Sequence, residues 1–123
     1  MVLTNTYLTA IRTAVIADAE SKYTHGAVGT ASTAADPSDT ALGSEVERNA
    51  ITEFDDSVAG KFTASLQVLT TEANGNTIRE VGWFNAAASG SMWSRHVLNS
   101  ISKTSDVQLY LDLEVTVTVT EDS

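Results

Sequence analysis

The sequence predicts a mainly β protein, an antiparallel β-sandwich or jelly-roll-like domain with one N-terminal α-helix. Three patterns carry that expectation. Near the end of the chain Val107, Leu109, Leu111, Leu113, Val115, Val117 and Val119 alternate with Gln108, Tyr110, Asp112, Glu114, Thr116, Thr118 and Thr120, the period of a strand with one buried face. Phe62, Ala64, Leu66 and Val68 alternate in the same way with Lys61, Thr63, Ser65 and Gln67. At the start Leu8, Ile11, Val15 and Ala19 recur three to four residues apart, one face of a helix. A sheet with one apolar face needs a covering layer, which leads to a sandwich with the helix packed against it. With 123 residues the chain can bury one core without disulfide or metal staples, so a single domain over residues 1–123 is expected.

Taken in order, the helix is expected over residues 4–22, with Thr4, Asn5 and Thr6 as candidate caps. An extended stretch follows over residues 24–29. Residues 29–44 contain Pro37, the single proline, among Gly, Ser, Thr and Asp, the composition of a loop. It reads either as a surface arm that contacts a partner or as a plain connector. The β-sheet core is expected over residues 45–120. It opens on a weakly alternating run at 45–51 and continues with the strand through Val68. Asn74-Gly75 then supplies the residues of a tight hairpin turn. A returning strand over 77–85, a small-residue turn at 86–90 and a strand over 91–98 complete a three-strand meander. The last strand, if unbroken over its seven repeats, is roughly 45 Å long. That exceeds what a compact domain requires, so either the sheet is tall or the end of the strand packs on another subunit, which favours oligomerisation.

Composition excludes several function classes. The chain has no cysteine, which removes thiol nucleophiles, disulfide frameworks and thiolate metal sites. Net charge is −9, with sixteen acidic residues against seven basic ones, the opposite of what a phosphate backbone attracts, so no nucleic-acid partner is expected. No apolar run is long enough for a spanning helix and no signal peptide is visible, so the expectation is a soluble, unprocessed chain with no membrane partner. Scarce lysine with abundant Asp, Glu, Ala, Ser and Thr suits either a protein of concentrated salt, where self-repulsion is screened, or an ordinary acidic protein.

A search for chemistry finds no catalytic, cofactor or metal site. His25 and His96 stand far apart and fit no ligand spacing. No glycine-framed nucleophile elbow or phosphate loop is present. Three acidic pairs, Asp36 with Asp39, Asp55 with Asp56 and Asp112 with Glu114, admit a calcium reading. The first two suit turns equally well. Asp112 and Glu114 share the polar face of the last strand, where solvent or a subunit contact accounts for them. Glu80 differs because it lies inside an apolar run, where an unpaired carboxylate costs several kcal/mol. It therefore requires a partner. Arg95 on the neighbouring strand is the first candidate, with Arg48 and Lys103 as alternatives, in a structural ion pair. Trp83, Trp93, Phe84 and Met92 gather near the second turn and read as core, as a subunit interface or as a sugar-binding platform. Trp83, Trp93, Asp112 and Glu114 are the candidate interface residues.

Five stretches occur in a recognisable order: Ala27-Val28-Gly29-Thr30, Asp39 through Arg48, Ala73 through Phe84, Ser94-Arg95, and Lys103. Together they resemble small virion proteins of tailed viruses, of the tail-fibre, tail-collar or baseplate-associated type found in bacteriophages and their haloarchaeal relatives. The resemblance covers residues 24–119. It implies a non-enzymatic, mostly β subunit located in the virion, without cofactors, assembling into symmetric homo-oligomers and with other virion proteins of tail or capsid. Glu80 falls at the acidic position of the Glu-x-Gly-aromatic pattern, which implies an architectural role. Without a coiled coil or receptor-binding extension, an adaptor or fibre-attachment piece suits the length better than a host-recognition tip. A capsid decoration or turret protein is the alternative, and a carbohydrate-binding module using Trp83 and Trp93 is an alternative of another class.

Overall fold

The computed structural model describes residues 2–119. Among these residues one helix, α1 (Asn5–Lys22), precedes seven strands: β1 (His25–Gly29), β2 (Glu45–Ala50), β3 (Glu53–Asp55), β4 (Lys61–Val68), β5 (Asn76–Phe84), β6 (Met92–Lys103) and β7 (Leu109–Thr116). They form two antiparallel sheets, one ordered β2-β1-β5-β6 and the other β3-β4-β7. The expected mainly β sandwich with one N-terminal helix is what the chain forms.

The core lies between the sheets. Val28, Ile78, Val81 and Trp83 from the four-stranded sheet meet Ala64, Leu66, Val68, Leu109 and Leu113 from the three-stranded one. Ile78 and Val81 differ in parity yet share this face, because the β5–β6 register shifts between Ile78 and Glu80. A bulge of this kind turns the following side chains over. It leaves Glu80, Gly82 and Phe84 on the outer face.

Helix α1 starts where the Thr4 Oγ1 accepts the Tyr7 N–H at 3.3 Å, a local N-cap. It ends with the Tyr23 N–H donating to the Ala19 carbonyl, and Lys22 in its last turn pairs with Asp18 at 2.7 Å, a favourable spacing and orientation. Ile16 and Ala19 are its buried residues and pack on Phe62. The Tyr23 ring meets Phe62 edge-on at 5.2 Å and Phe54 stacks on it at 5.0 Å. Val15, expected on the buried face, is exposed. Ile16 takes its place, because the face that meets Phe62 is turned by one residue.

Two further expectations are corrected. Asn74-Gly75 does not close a hairpin, because β4 and β5 lie in different sheets. The connection is a crossover, with positive φ at Ala73 (55°) and Gly75 (84°). The Gly75 N–H donates to Lys103 O at 2.9 Å, so the chain enters β5 already beside the end of β6. The meander is accordingly reduced to the β5–β6 hairpin. The last strand is also shorter than its pattern. β7 pairs with β4 from Val68↔Leu109 to Lys61↔Thr116, eight residues or roughly 26 Å. Val107 belongs to the turn before it, and residues 117–119 continue beyond β4 outside any strand. A strand's ladder extends only as far as its neighbour. Thr120 and the segment Glu121-Asp122-Ser123 lie outside the described residues.

Candidate functional site

A dense polar network is built on the outer face of the four-stranded sheet. Residues 30–44 run across that face, and their ends are fastened to one side chain. Glu80 is fully buried, and its carboxylate accepts from the backbone N–H groups of Gly43 (2.9 Å), Ser44 (2.9 Å) and Ala31 (3.1 Å) and from Arg95 Nε (3.0 Å). Four donors suffice for a buried carboxylate. Burial pushes the Glu80 carboxyl up. The N–H groups of Ser44 and Gly43, the Arg95 guanidinium and the Ala31 N–H outweigh that push and hold it below the usual glutamate range.

Arg95 carries the network outward. Its Nη1 reaches Asp39 Oδ2 at 3.2 Å and its Nη2 donates to Thr33 O at 2.8 Å, so one guanidinium joins β6 to two further points of the loop. Arg79 Nη1 donates to Thr30 O at 3.3 Å. The loop can lie this close because the strands beneath it carry glycine. A Cβ on Gly29, which pairs with Glu80 across β1 and β5, would fall on the Glu80 carboxylate and on Ser44 O. A Cβ on Gly82 would stand 2.7 Å from Leu42. Leu42 is thereby buried with Ala27 and Phe84, with Met92 beside them.

Arg48 forms a second tie. Its guanidinium lies 3.7 Å from the centre of the Phe84 ring, a cation–π contact. It pairs with Glu45 at 2.6 Å and donates to the carbonyls of Ala86 and Ser89. It serves the turn between β5 and β6 and not Glu80. Lys103, the other alternative partner, is 1% exposed and donates to Asn74 Oδ1 at 2.8 Å and Thr104 O at 3.0 Å, fastening the crossover between sheets.

Glu80 and Arg95 are thus brought together. The four candidate interface residues are not. Trp83 is 1% exposed within the core, which corrects its assignment to an interface: the bulge that turns Glu80 outward turns Trp83 inward. Trp93 is 41% exposed, with Lys22 Nζ 5.7 Å from its ring centre. It borders a hollow of about 340 Å³ shared with Ala35, Pro37, Asp39 and Arg95. Asp112 and Glu114 are exposed on β7, and Glu114 stands 3.5 Å from Lys61, a surface pair worth little.

Two acids of the other candidate pairs serve turns. Asp36 Oδ1 accepts from Ser38, and Asp55 Oδ1 accepts the Ser57 N–H. Among the described residues no group of three or more His, Cys, Asp and Glu is placed to hold a metal ion, and no helix is long and apolar enough to cross a membrane. Sequence reasoning missed the backbone N–H donors of Ala31, Gly43 and Ser44. Their only signal was the glycine at 29 and at 43, where close approach leaves no room for a side chain. No protein-family model and no curated protein matches the chain.

Proposed function

We propose that the chain is a non-enzymatic structural subunit of a tailed-virus particle, self-assembling in the tail, baseplate or fibre-attachment region and seated among other virion proteins. One observation carries this reading. The stretches that resemble virion proteins, dispersed over residues 27–103, contribute Gly29, Asp39, Gly43, Ser44, Arg79, Glu80 and Arg95 to a single clamp that pins a loop to a sheet. A carboxylate that is saturated with donors and held ionised is suited to fastening backbone, not to exchanging protons. The clamp leaves residues 32–38 exposed as a shaped surface for a neighbour.

A capsid decoration or turret protein would use the same architecture and differs in the symmetry of its assembly. The carbohydrate-binding alternative is weaker than its sequence pattern, since burial of Trp83 leaves Trp93 as the one exposed tryptophan. The test is the native mass of the purified chain in high and low salt, by light scattering coupled to size exclusion. A discrete oligomer is expected. A monomer at every salt concentration, together with glycan binding that is lost in Trp93→Ala, would move the lead to the binding module.

A further inference from the structure

The geometry points to β6 as the seam at which a second copy of the chain adds, strand to strand and antiparallel, through its own β6. This rests on the self-assembly reading and names its surface. Four strands stand at sheet edges: β2 and β6 in one sheet, β3 and β7 in the other. An edge presents unpaired backbone N–H and C=O groups, and proteins guard it with charge. Three of these edges are so guarded. β2 carries Glu45 and Glu47, β3 carries Glu53 and Asp55, and β7 carries Asp112 and Glu114.

β6 has no such guard. At 12 residues it is the longest strand among the described residues, and its sequence contains no acid. Both of its cations are engaged within the subunit, Arg95 by Glu80 and Asp39, and Lys103 by Asn74 and the Thr104 carbonyl. In place of charge the strand exposes Trp93 and Val97, each at 41%. Between its two register irregularities it runs regularly from Ser94 to Val97. This regular stretch is the centre of the seam.

For a second copy as the occupant, which the self-assembly reading supplies, charge selects the edge. For a chain of net charge −9, approach of another copy sets carboxylate against carboxylate over most of the surface, and like charges directly opposite destabilise a strand pair. Any pairing that uses β2, β3 or β7 brings acids into the seam. β6 against β6 brings none within the paired strands themselves; the acids beside it, Asp36 and Asp39 in the loop and Asp112 and Glu114 on β7, flank the seam. Such a contact is two-fold and self-complementary, and it joins the two four-stranded sheets edge to edge. The seam borders a lateral opening of about 390 Å³ between β6 and β7, walled by Trp83, His96, Val97, Leu111 and Leu113, with Asp112 and Glu114 of β7 on its far side. The indole N–H of Trp83, on the strand next to β6, is buried without a hydrogen-bond partner.

The experiment is light scattering on the sized chain of residues 1–123 in molar salt, where repulsion between the flanking acids is screened. Wild type is expected at twice 13.0 kDa. Val97→Glu places a carboxylate on the seam and is expected to halve the native mass with circular dichroism unchanged. Asn99→Asp, at an exposed polar position on the same strand, is expected to do the same should Val97→Glu fold poorly. Val58→Glu, at a 54% exposed position away from β6, is expected to leave the dimer intact. A wild-type oligomer that survives both β6 variants overturns the seam and leaves the self-assembly reading standing. A wild type that is monomeric at every salt concentration overturns both.

Discussion

At position 80 a carboxylate is placed where water cannot reach it, and its four donors come from three separate parts of the chain. Removing one side of a buried charge pair leaves the other uncompensated, a loss of about 3–5 kcal/mol. Glu80→Ala is therefore expected to melt well below wild type, and Asp56→Ala, at an exposed position, to melt within a degree or two of it. Equal melting temperatures for the two variants would remove Glu80 from its structural role. Folding also lowers the Glu80 pKa, so the folded state binds this proton less tightly than the unfolded chain does. The stabilisation is complete above the unfolded value of about 4.3 and is lost as pH falls through the lower folded value. Urea unfolding of wild type below about pH 4.3 should show that loss, and in Glu80→Gln the slope of stability against pH over the same interval should flatten. The need for a partner at Glu80 was legible because a charge stood inside an apolar run. The backbone donors were not, since an N–H group carries no sequence signature until a loop is laid over it.

At the scale of elements, the loop over residues 30–44 is held to Glu80 at its two ends and to Arg95 at Thr33 and Asp39 between them. Gly29→Ala drives a methyl into the Glu80 carboxylate and the Ser44 carbonyl, so the loop must lift if the sheet is to survive. The expected outcome is a several-fold faster proteolytic cut within residues 31–42 with the β-sheet circular dichroism retained. An unchanged cleavage rate would mean that the loop is held by something other than this contact. The same scale explains why two strand patterns misled. The alternation over residues 107–120 records which face of the chain is apolar, but the ladder stops with β4 at Lys61. Asn74-Gly75 has the composition of a hairpin turn. Its neighbours belong to different sheets because Leu66 and Val68 on β4 and Ile78 on β5 pack against one another across the core, and strands whose apolar faces meet face to face cannot lie side by side.

At the scale of the whole molecule, sixteen acidic residues on so small a chain repel one another, and salt shortens the reach of that repulsion from about 10 Å at 0.1 M to about 3 Å at 1 M. Dialysis from molar to low salt is expected to lower the melting temperature and to dissociate the proposed assembly, and indifference to salt would count against a halophilic source. The sequence by itself determined the fold class, the single N-terminal helix, the buried faces of β4 and β7 and the need of Glu80 for a partner, because each is written in the spacing of apolar residues or in a charge that interrupts it. Tertiary structure alone decided which strands pair, where β7 stops, that Trp83 is core while Trp93 is surface, and which edge is left uncharged. Periodicity identifies the face a strand buries. The neighbour it pairs with depends on contacts between residues distant in the chain, and the inner and outer faces of β5 exchange across one register irregularity between Ile78 and Glu80.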